Sequence, residues 1–137
     1  MAKLYGIKPD EERPYVPKIC RDEDEADQPV FLLKFLTVRE HSDIQDELFS
    51  SSGFGKKRQE KFLLGKQTWL TLRTGLRGWQ NFKHEDGTAV EWEDPSAGRD
   101  VEDKNRIMDK NLNKIQPDIR AEMAEYIRGE STLGEAE

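Results

Sequence analysis

Apolar residues along this chain recur with a period that changes from stretch to stretch, and the period indicates the element expected at each place. PVFLLKFL, residues 29–36, alternates as a strand does. Phe31, Leu33 and Phe35 share one face, and Leu32, Lys34 and Leu36 share the other. Upstream, Tyr15 to Cys20 has strand-like composition, and Pro17 restricts it to a sheet edge. The two stretches are expected to form a hairpin around the acidic DEDEADQ, a loop in which adjacent like charges repel and bury nothing. Thr37 and Glu40 have capping-box spacing, so a helix is expected from Val38 to about Phe49, with Ile44 and Leu48 inward.

SSSGFG, residues 50–55, reads as a linker, and the longest helical signal follows it, from Lys56 to about Gln80. Phe62, Trp69, Leu72, Leu76 and Trp79 recur at steps of seven, three, four and three, which is one helical face, and Leu63 and Leu70 widen it. Four of its first six residues are basic, which opposes the helix dipole. Gly65, Gly75 and Gly78 each weaken a helix by about 1 kcal/mol relative to alanine. Alternatively, they mark places where another backbone approaches closely.

Asp86-Gly87 is expected to turn the chain, since glycine allows a positive φ, and Thr88 to Trp92 then alternates weakly as a short strand. DPSAGRD is a loop whose last residue, Asp100, caps a helix from Val101 to about Ile115. Val101, Ile107 or Met108, Leu112 and Ile115 face inward there. Pro117 opens the last helix at the position proline favours, with Ile119, Met123 and Tyr126 or Ile127 apolar, and Gly129 suits its C-terminal cap. There is no internal repeat. The fold these elements predict is α+β and mostly α-helical, a small N-terminal antiparallel β-hairpin packed on three to four helices. A flexible arm over 1–14, one domain over 15–129 and a flexible tail over 130–137 complete the expected organisation.

At 137 residues the chain has the size of one domain. Hydrophobic residues are 34% and charged residues 36%, so the expected core is small. The net charge of −6 argues against a general nucleic-acid binder, but the charge is uneven. Residues 10–28 hold eight acids and three bases, and residues 56–77 hold seven bases and one acid. Such asymmetry guides a partner or self-association, or else leaves two solvated faces. One cysteine, Cys20, excludes an intrachain disulfide, and with only His41 and His84 beside it a Cys/His zinc site is not expected. No apolar run has signal-peptide length, and none approaches the roughly 20 residues of a membrane helix. A soluble protein of a reducing compartment is expected.

Four local patterns look like chemistry, and each has a plainer explanation. GFGKKR, residues 53–58, lacks the spacing of a phosphate-binding loop and reads as a linker entering a basic helix. Trp69 and Trp79 lie on the apolar stripe while the bases fall mainly elsewhere, so a core-facing stripe explains them better than nucleic-acid stacking. His84, Glu85 and Asp86 are adjacent, and neighbours in a turn rarely converge on one substrate atom. The acidic run 22–27 lacks the spaced pattern of a calcium loop. It suits a solvated loop or a lure for a basic partner.

The order of elements carries a resemblance. YVPKICRDEDEADQPVFLLKFLTVREHSDIQDEL places a strand, polar loop, strand and helix in sequence, the long helix ends in LRGWQNFKHEDGTAVEW, and NLNKIQPDIRAEMAEYIRGESTLGEAE closes the chain. Over roughly residues 15–137 this layout resembles the small tail assembly chaperones, and related tail-completion proteins, of long-tailed bacteriophages. Its weight rests on the Gly-Trp-x-Asn-Phe…Asp-Gly junction and on the closing helix followed by ESTLGEAE.

The resemblance implies a non-enzymatic protein of the host bacterial cytoplasm. It would bind the phage tape measure protein, keep it soluble, help recruit tail tube protein and be absent from the finished virion. It implies no catalytic residue, cofactor, metal or membrane. A longer frameshifted form is common among such chaperones. An apolar helical client needs a complementary apolar surface rimmed by charge. Phe62, Trp69, Leu72, Leu76 and Trp79, with the adaptable Met108 and Met123, supply either that surface or this protein's own core. Homo-oligomers, from dimers to rings or spirals, fit the charge asymmetry. Two rivals remain: a structural virion protein of the tail-completion or head–tail connector type, and a DNA-binding regulator using the basic helix 56–77, whose binding would be salt-sensitive.

Overall fold

The structure, a computed structural model, describes residues 11–50 and 56–136, with side chains described over 11–50 and 65–129. Most of the expected arm, most of the linker, the side chains of Phe62 and Leu63, and those of 130–137 lie outside the described residues. Within them the chain is α+β and mostly helical, with its β-hairpin at the N-terminus. Strands β1 (Arg13–Tyr15), β2 (Val30–Leu33) and β3 (Leu76–Gln80) form an antiparallel sheet in the order β1-β2-β3. The helices are α1 (Val38–Ser50), α2 (Lys56–Gly75), α3 (Val101–Leu112) and α4 (Pro117–Ala136).

The hairpin forms two residues earlier than the strand composition suggested. Arg13 pairs with Leu33 and Tyr15 with Phe31, and the chain leaves the ladder before the buried Pro17. Proline has no N–H to donate to a continuing ladder, and Lys18–Cys20 winds into a 3-10 turn instead. Phe31 and Leu33 are buried on one face of β2, as their alternation requires, but the strand ends at Leu33, short of the expected Leu36, and Lys34, Phe35 and Leu36 beyond it are all buried.

The larger correction concerns residues 76–80. They extend the sheet as β3, whereas the helical spacing of Leu72, Leu76 and Trp79 predicts continued helix. The helix stops at Gly75, whose carbonyl accepts from Lys34 N at 2.8 Å. β3 then runs antiparallel to β2. Leu32 faces Gly78 and Leu33 faces Leu76, so Arg77 is the extra residue of a bulge. The spacing that satisfies a helix also satisfies a bulged strand here, because Leu76 points into the same core in either case. Residues 88–92 form no strand beyond the single bridge Lys83↔Ala89.

Local signals set the other boundaries. Thr37 Oγ1 accepts from Glu40 N at 3.2 Å, and Glu40 Oε1 accepts from Thr37 N at 2.9 Å, which closes the capping box of α1. Asp100 Oδ1 accepts from Asp103 N at 2.8 Å and starts α3, but Val101 points to solvent and the helix ends at Leu112, short of Ile115. Pro117 opens α4 as expected, and the helix runs through Gly129 to Ala136 instead of capping there. The core lies where the inner sheet face, α1, α2, α3 and α4 meet. Phe31, Leu33, Leu72, Leu112, Met123 and Ile127 are nearly or fully buried in it.

Candidate functional site

Two surfaces carry apolar groups that the core does not absorb. The first is the outer face of α1. Its inner face is anchored by Ile44 and Leu48, and its start is anchored by an ion pair. Lys34, 1% exposed, sends Nζ to Glu40 Oε1 at 2.6 Å, so the carboxylate that closes the capping box also neutralises a buried ammonium. Burial alone would raise the Glu40 pKa. The hydrogen bond from Lys34, the Thr37 N–H and the Lys34 charge outweigh it and hold the carboxyl below its ordinary range. With α1 thus fixed, Val38 (74% exposed) and Phe49 (82% exposed) project to solvent from its flank, roughly 80–140° around the helix from Ile44 and Leu48. They are eleven positions apart, so at 100° per residue they share one face, about 16 Å from end to end.

The second surface is a cleft of about 290 Å³ between the 17–20 turn and the 82–90 loop. One of its walls is Phe82 to Glu85 with Val90, and the Gly-Trp-x-Asn-Phe…Asp-Gly junction holds that wall in place from behind. Trp79 meets Phe82 at 5.2 Å and Trp92 at 4.9 Å between ring centroids, both edge-on, and Phe31 meets Phe82 at 5.1 Å. Trp79 Nε1 donates to Val90 O at 2.8 Å. Asn81 adopts φ 58°, a left-handed conformation that asparagine tolerates, and its Nδ2 donates to Ala26 O (2.7 Å) and Gln28 O (3.0 Å). Gln28 Nε2 in turn donates to Arg21 O and Glu23 O. The acidic loop is therefore tied at its base to the junction. Ile19, 71% exposed, stands at the cleft's lip, with Phe82, Val90 and Ile119 below it.

HEDG, residues 84–87, is the tip of this wall. Gly87 has φ 88°, Gly87 N donates to His84 O at 2.9 Å, and Asp86 Oδ1 accepts from Thr88 N (3.0 Å) and Thr88 Oγ1 (2.6 Å). Those Thr88 bonds lower the Asp86 pKa. The aspartate is thereby stabilised as the acceptor of a turn.

Other polar groups hold elements together. Asp109 accepts from Trp69 Nε1 (2.6 Å) and from both Arg73 Nε and Nη2 (2.8 and 2.7 Å), and the Arg120 guanidinium lies 5.2 Å over the Trp69 ring. Asn111, fully buried, exchanges two hydrogen bonds with the backbone of Glu93 and pins the 90–93 segment to α3. Glu122 accepts from Tyr15 Oη at 2.5 Å and Lys18 N at 3.0 Å. Burial, and then the Glu122 carboxylate, push the Tyr15 phenol well above its usual range, which fixes it as a donor. Burial likewise raises the Cys20 thiol, with the Glu23 and Glu122 charges adding to it. Among the described residues, no group of three His, Cys, Asp or Glu side chains is placed to hold a metal ion.

The seven residues expected to contact a partner divide differently. Leu72, Leu76, Met108 and Met123 are core, covered by this chain's own sheet and helices. Trp69 and Trp79 are half-buried and committed to Asp109 and Val90, and the Phe62 side chain lies outside the described residues. The stripe is occupied because α3 and α4 fold back over α2, a long-range packing that a single-helix periodicity does not contain. Val38, Phe49 and Ile19, together with Val101, which was expected to face inward, are the large apolar residues that stand exposed among the described residues. Val38 and Phe49 fall off the Ile44–Leu48 stripe of α1, which is the signal that could have identified them, whereas Ile19 continues the alternation of the buried Tyr15 and Pro17 and is turned outward by the 3-10 turn at Lys18–Cys20. No protein-family model, curated protein or solved structure matches the chain.

Proposed function

We propose that this chain is a non-enzymatic phage tail assembly chaperone that binds the tape measure protein, keeps it soluble and aids tail tube assembly in the host cytoplasm. The observation that carries the proposal is the outer face of α1, where Val38 and Phe49 stand exposed three turns apart on a helix whose start is locked by Thr37, Glu40 and Lys34. An amphipathic client helix laid along this face would cover both side chains, and covering a phenylalanine contributes roughly 2 kcal/mol. Trp79, Asn81, Phe82 and Asp86 are engaged in packing, tethering and turn bonds, which give the domain its shape.

Co-expression with the tape measure protein tests the proposal. The wild type should co-purify with it and raise its soluble fraction, and Val38→Ser with Phe49→Ser should reduce both several-fold. Because both positions are exposed, the variant should keep its circular dichroism spectrum and melting temperature. A wild type that neither co-purifies with nor solubilises the tape measure ends the proposal. Mass spectrometry of purified particles separates it from a tail-completion or connector subunit, which would remain in the virion.

A further inference from the structure

The surface carries an aromatic knob in acidic surroundings and an apolar cleft with lysines on its rim. Phe49, on the last turn of α1, is the knob, and it is the most exposed of the large apolar residues described. Residues 43–50 around it hold Asp43, Asp46 and Glu47, all exposed, and no base. The cleft between residues 17–20 and 82–90 is floored by Phe31, Val90, Ile115 and Ile119, all buried. At about 290 Å³ it lies just under the roughly 300 Å³ at which small-molecule sites begin, which is room for one bulky side chain. Lys83, His84 and Lys114 line it with a single acid, Glu85. Lys114 Nζ is already bonded to Glu91 O (2.9 Å) and Glu93 Oε2 (3.1 Å), which leaves the exposed Lys83 as the principal cation of the rim. The cleft therefore suits an apolar side chain with a carboxylate beside it. Asp46 precedes Phe49 by three positions, close to one helical turn, and supplies that carboxylate. Phe49 does not line its own chain's cleft, so the two meet only between copies.

We propose that Phe49, with Asp46 beside it, inserts into this cleft of a second copy of the chain, where Asp46 meets Lys83 on the rim. Burial of the ring against the cleft floor supplies the net attraction, and the opposed charges set encounter rate and register. Knob and cleft are different surfaces, so each copy offers one of each, and the contact propagates head to tail into a ring or an open chain. Phe49 is also the residue given above to the client, so assembly and client exclude each other at this side chain. The cleft belongs to assembly alone, and the assembly is tested without any client.

Sedimentation velocity of the full chain across a concentration series is the test. The contact is small and belongs with weak, transient interfaces, so the series should extend to about 1 mM protein. The wild type should grow beyond a monomer, and its dissociation constant should rise several-fold between about 50 mM and about 500 mM salt. Phe49→Ser removes the knob, and Ile19→Asp with Lys83→Glu closes the cleft to an acidic neighbour. All three positions are exposed, so both variants should stay folded, and each should be monomeric alone. Mixed in equal amounts they should form a dimer and nothing larger, because the intact cleft of one receives the intact Phe49 of the other and no second contact is left. A wild type that stays monomeric overturns the proposal. So does assembly that survives either variant, which would place the contact elsewhere, and so does a mixture that stays monomeric. The cleft variant leaves α1 untouched and should still solubilise the tape measure protein, which separates failure of the assembly from failure of the client reading.

Discussion

A β-carbon built on Gly75 would stand 2.6 Å from Ile127 Cδ1 and 3.1 Å from the carbonyl oxygen of Lys34. The last residue of α2 is thus the point where α4 and the chain leaving β2 both close on the helix. Gly75→Ala gains helix propensity of about 1 kcal/mol. It must also displace a core isoleucine against a backbone oxygen that cannot yield, and such overpacking costs about 1–3 kcal/mol. We expect net destabilisation in urea titration. Gly75→Ala with Ile127→Val removes the nearer atom and should recover part of the loss. An alanine variant as stable as wild type would show that the approach is looser than this.

The same junction shows what could be read in the sequence. Elements signalled by neighbouring residues were legible: Thr37 and Glu40 start α1, Asp100 starts α3, Pro117 starts α4, and the alternation of Phe31 and Leu33 marks the sheet's inner face. The change from α2 to β3 was not, because the steps Leu72–Leu76–Trp79 fit a helical face while Leu76 and Gly78 also fit the buried side of a strand. What decides between them is the Lys34 N–H on the Gly75 carbonyl and the close passage of Ile127, contacts some 40 to 50 residues distant in sequence. For the same reason the apolar stripe of α2 could be recognised, but whether a partner or this chain covered it could not. Gly129 carried a stop signal that α4 overrides, since Met123, Ala124 and Ile127 already hold that helix in the core.

Lys34 and Glu40 give a pH dependence with a definite sign. The folded Glu40 pKa lies below its ordinary value of 4.5. The ionised pair therefore contributes stability that is fully present above the unfolded pKa and is lost as pH falls through the folded one. Urea midpoints should decline below about pH 4.5, and Glu40→Gln should flatten that decline while lowering stability at pH 7. The loss at pH 7 is expected to be roughly 2 kcal/mol, toward the low end for a broken ion pair because the carboxylate is partly exposed. The decisive comparison is Lys34→Met with Glu40→Gln, which removes both charges and should be more stable than Glu40→Gln alone. If the double variant is less stable, the buried ammonium is not the source of the penalty.

Thr71 is fully buried in α2, and its hydroxyl has no hydrogen-bond partner among the described residues. An orphaned hydroxyl costs about 1–3 kcal/mol relative to a satisfied one, whereas a methyl of the same shape has no such need. Valine has nearly the same volume and a similar helix propensity. Thr71→Val should therefore raise stability by about 1 kcal/mol, read as a higher denaturant midpoint with an unchanged slope. A lower midpoint would mean that the hydroxyl is satisfied in solution.

Asn81 combines a strained backbone with a tether, and two substitutions separate them. Its φ of 58° is costly for residues with a β-carbon other than asparagine or aspartate, and its side chain holds the carbonyls of Ala26 and Gln28. Asn81→Gly relieves the backbone and cuts the tether, whereas Asn81→Ala keeps the strain and cuts it too. Both should free the acidic loop equally, seen as faster amide hydrogen exchange over residues 25–28. Only alanine should add a backbone penalty of about 1 kcal/mol in the unfolding free energy. Exchange that speeds up in the alanine variant but not in the glycine variant would assign the order of the loop to the backbone of residue 81 and not to its side-chain amide.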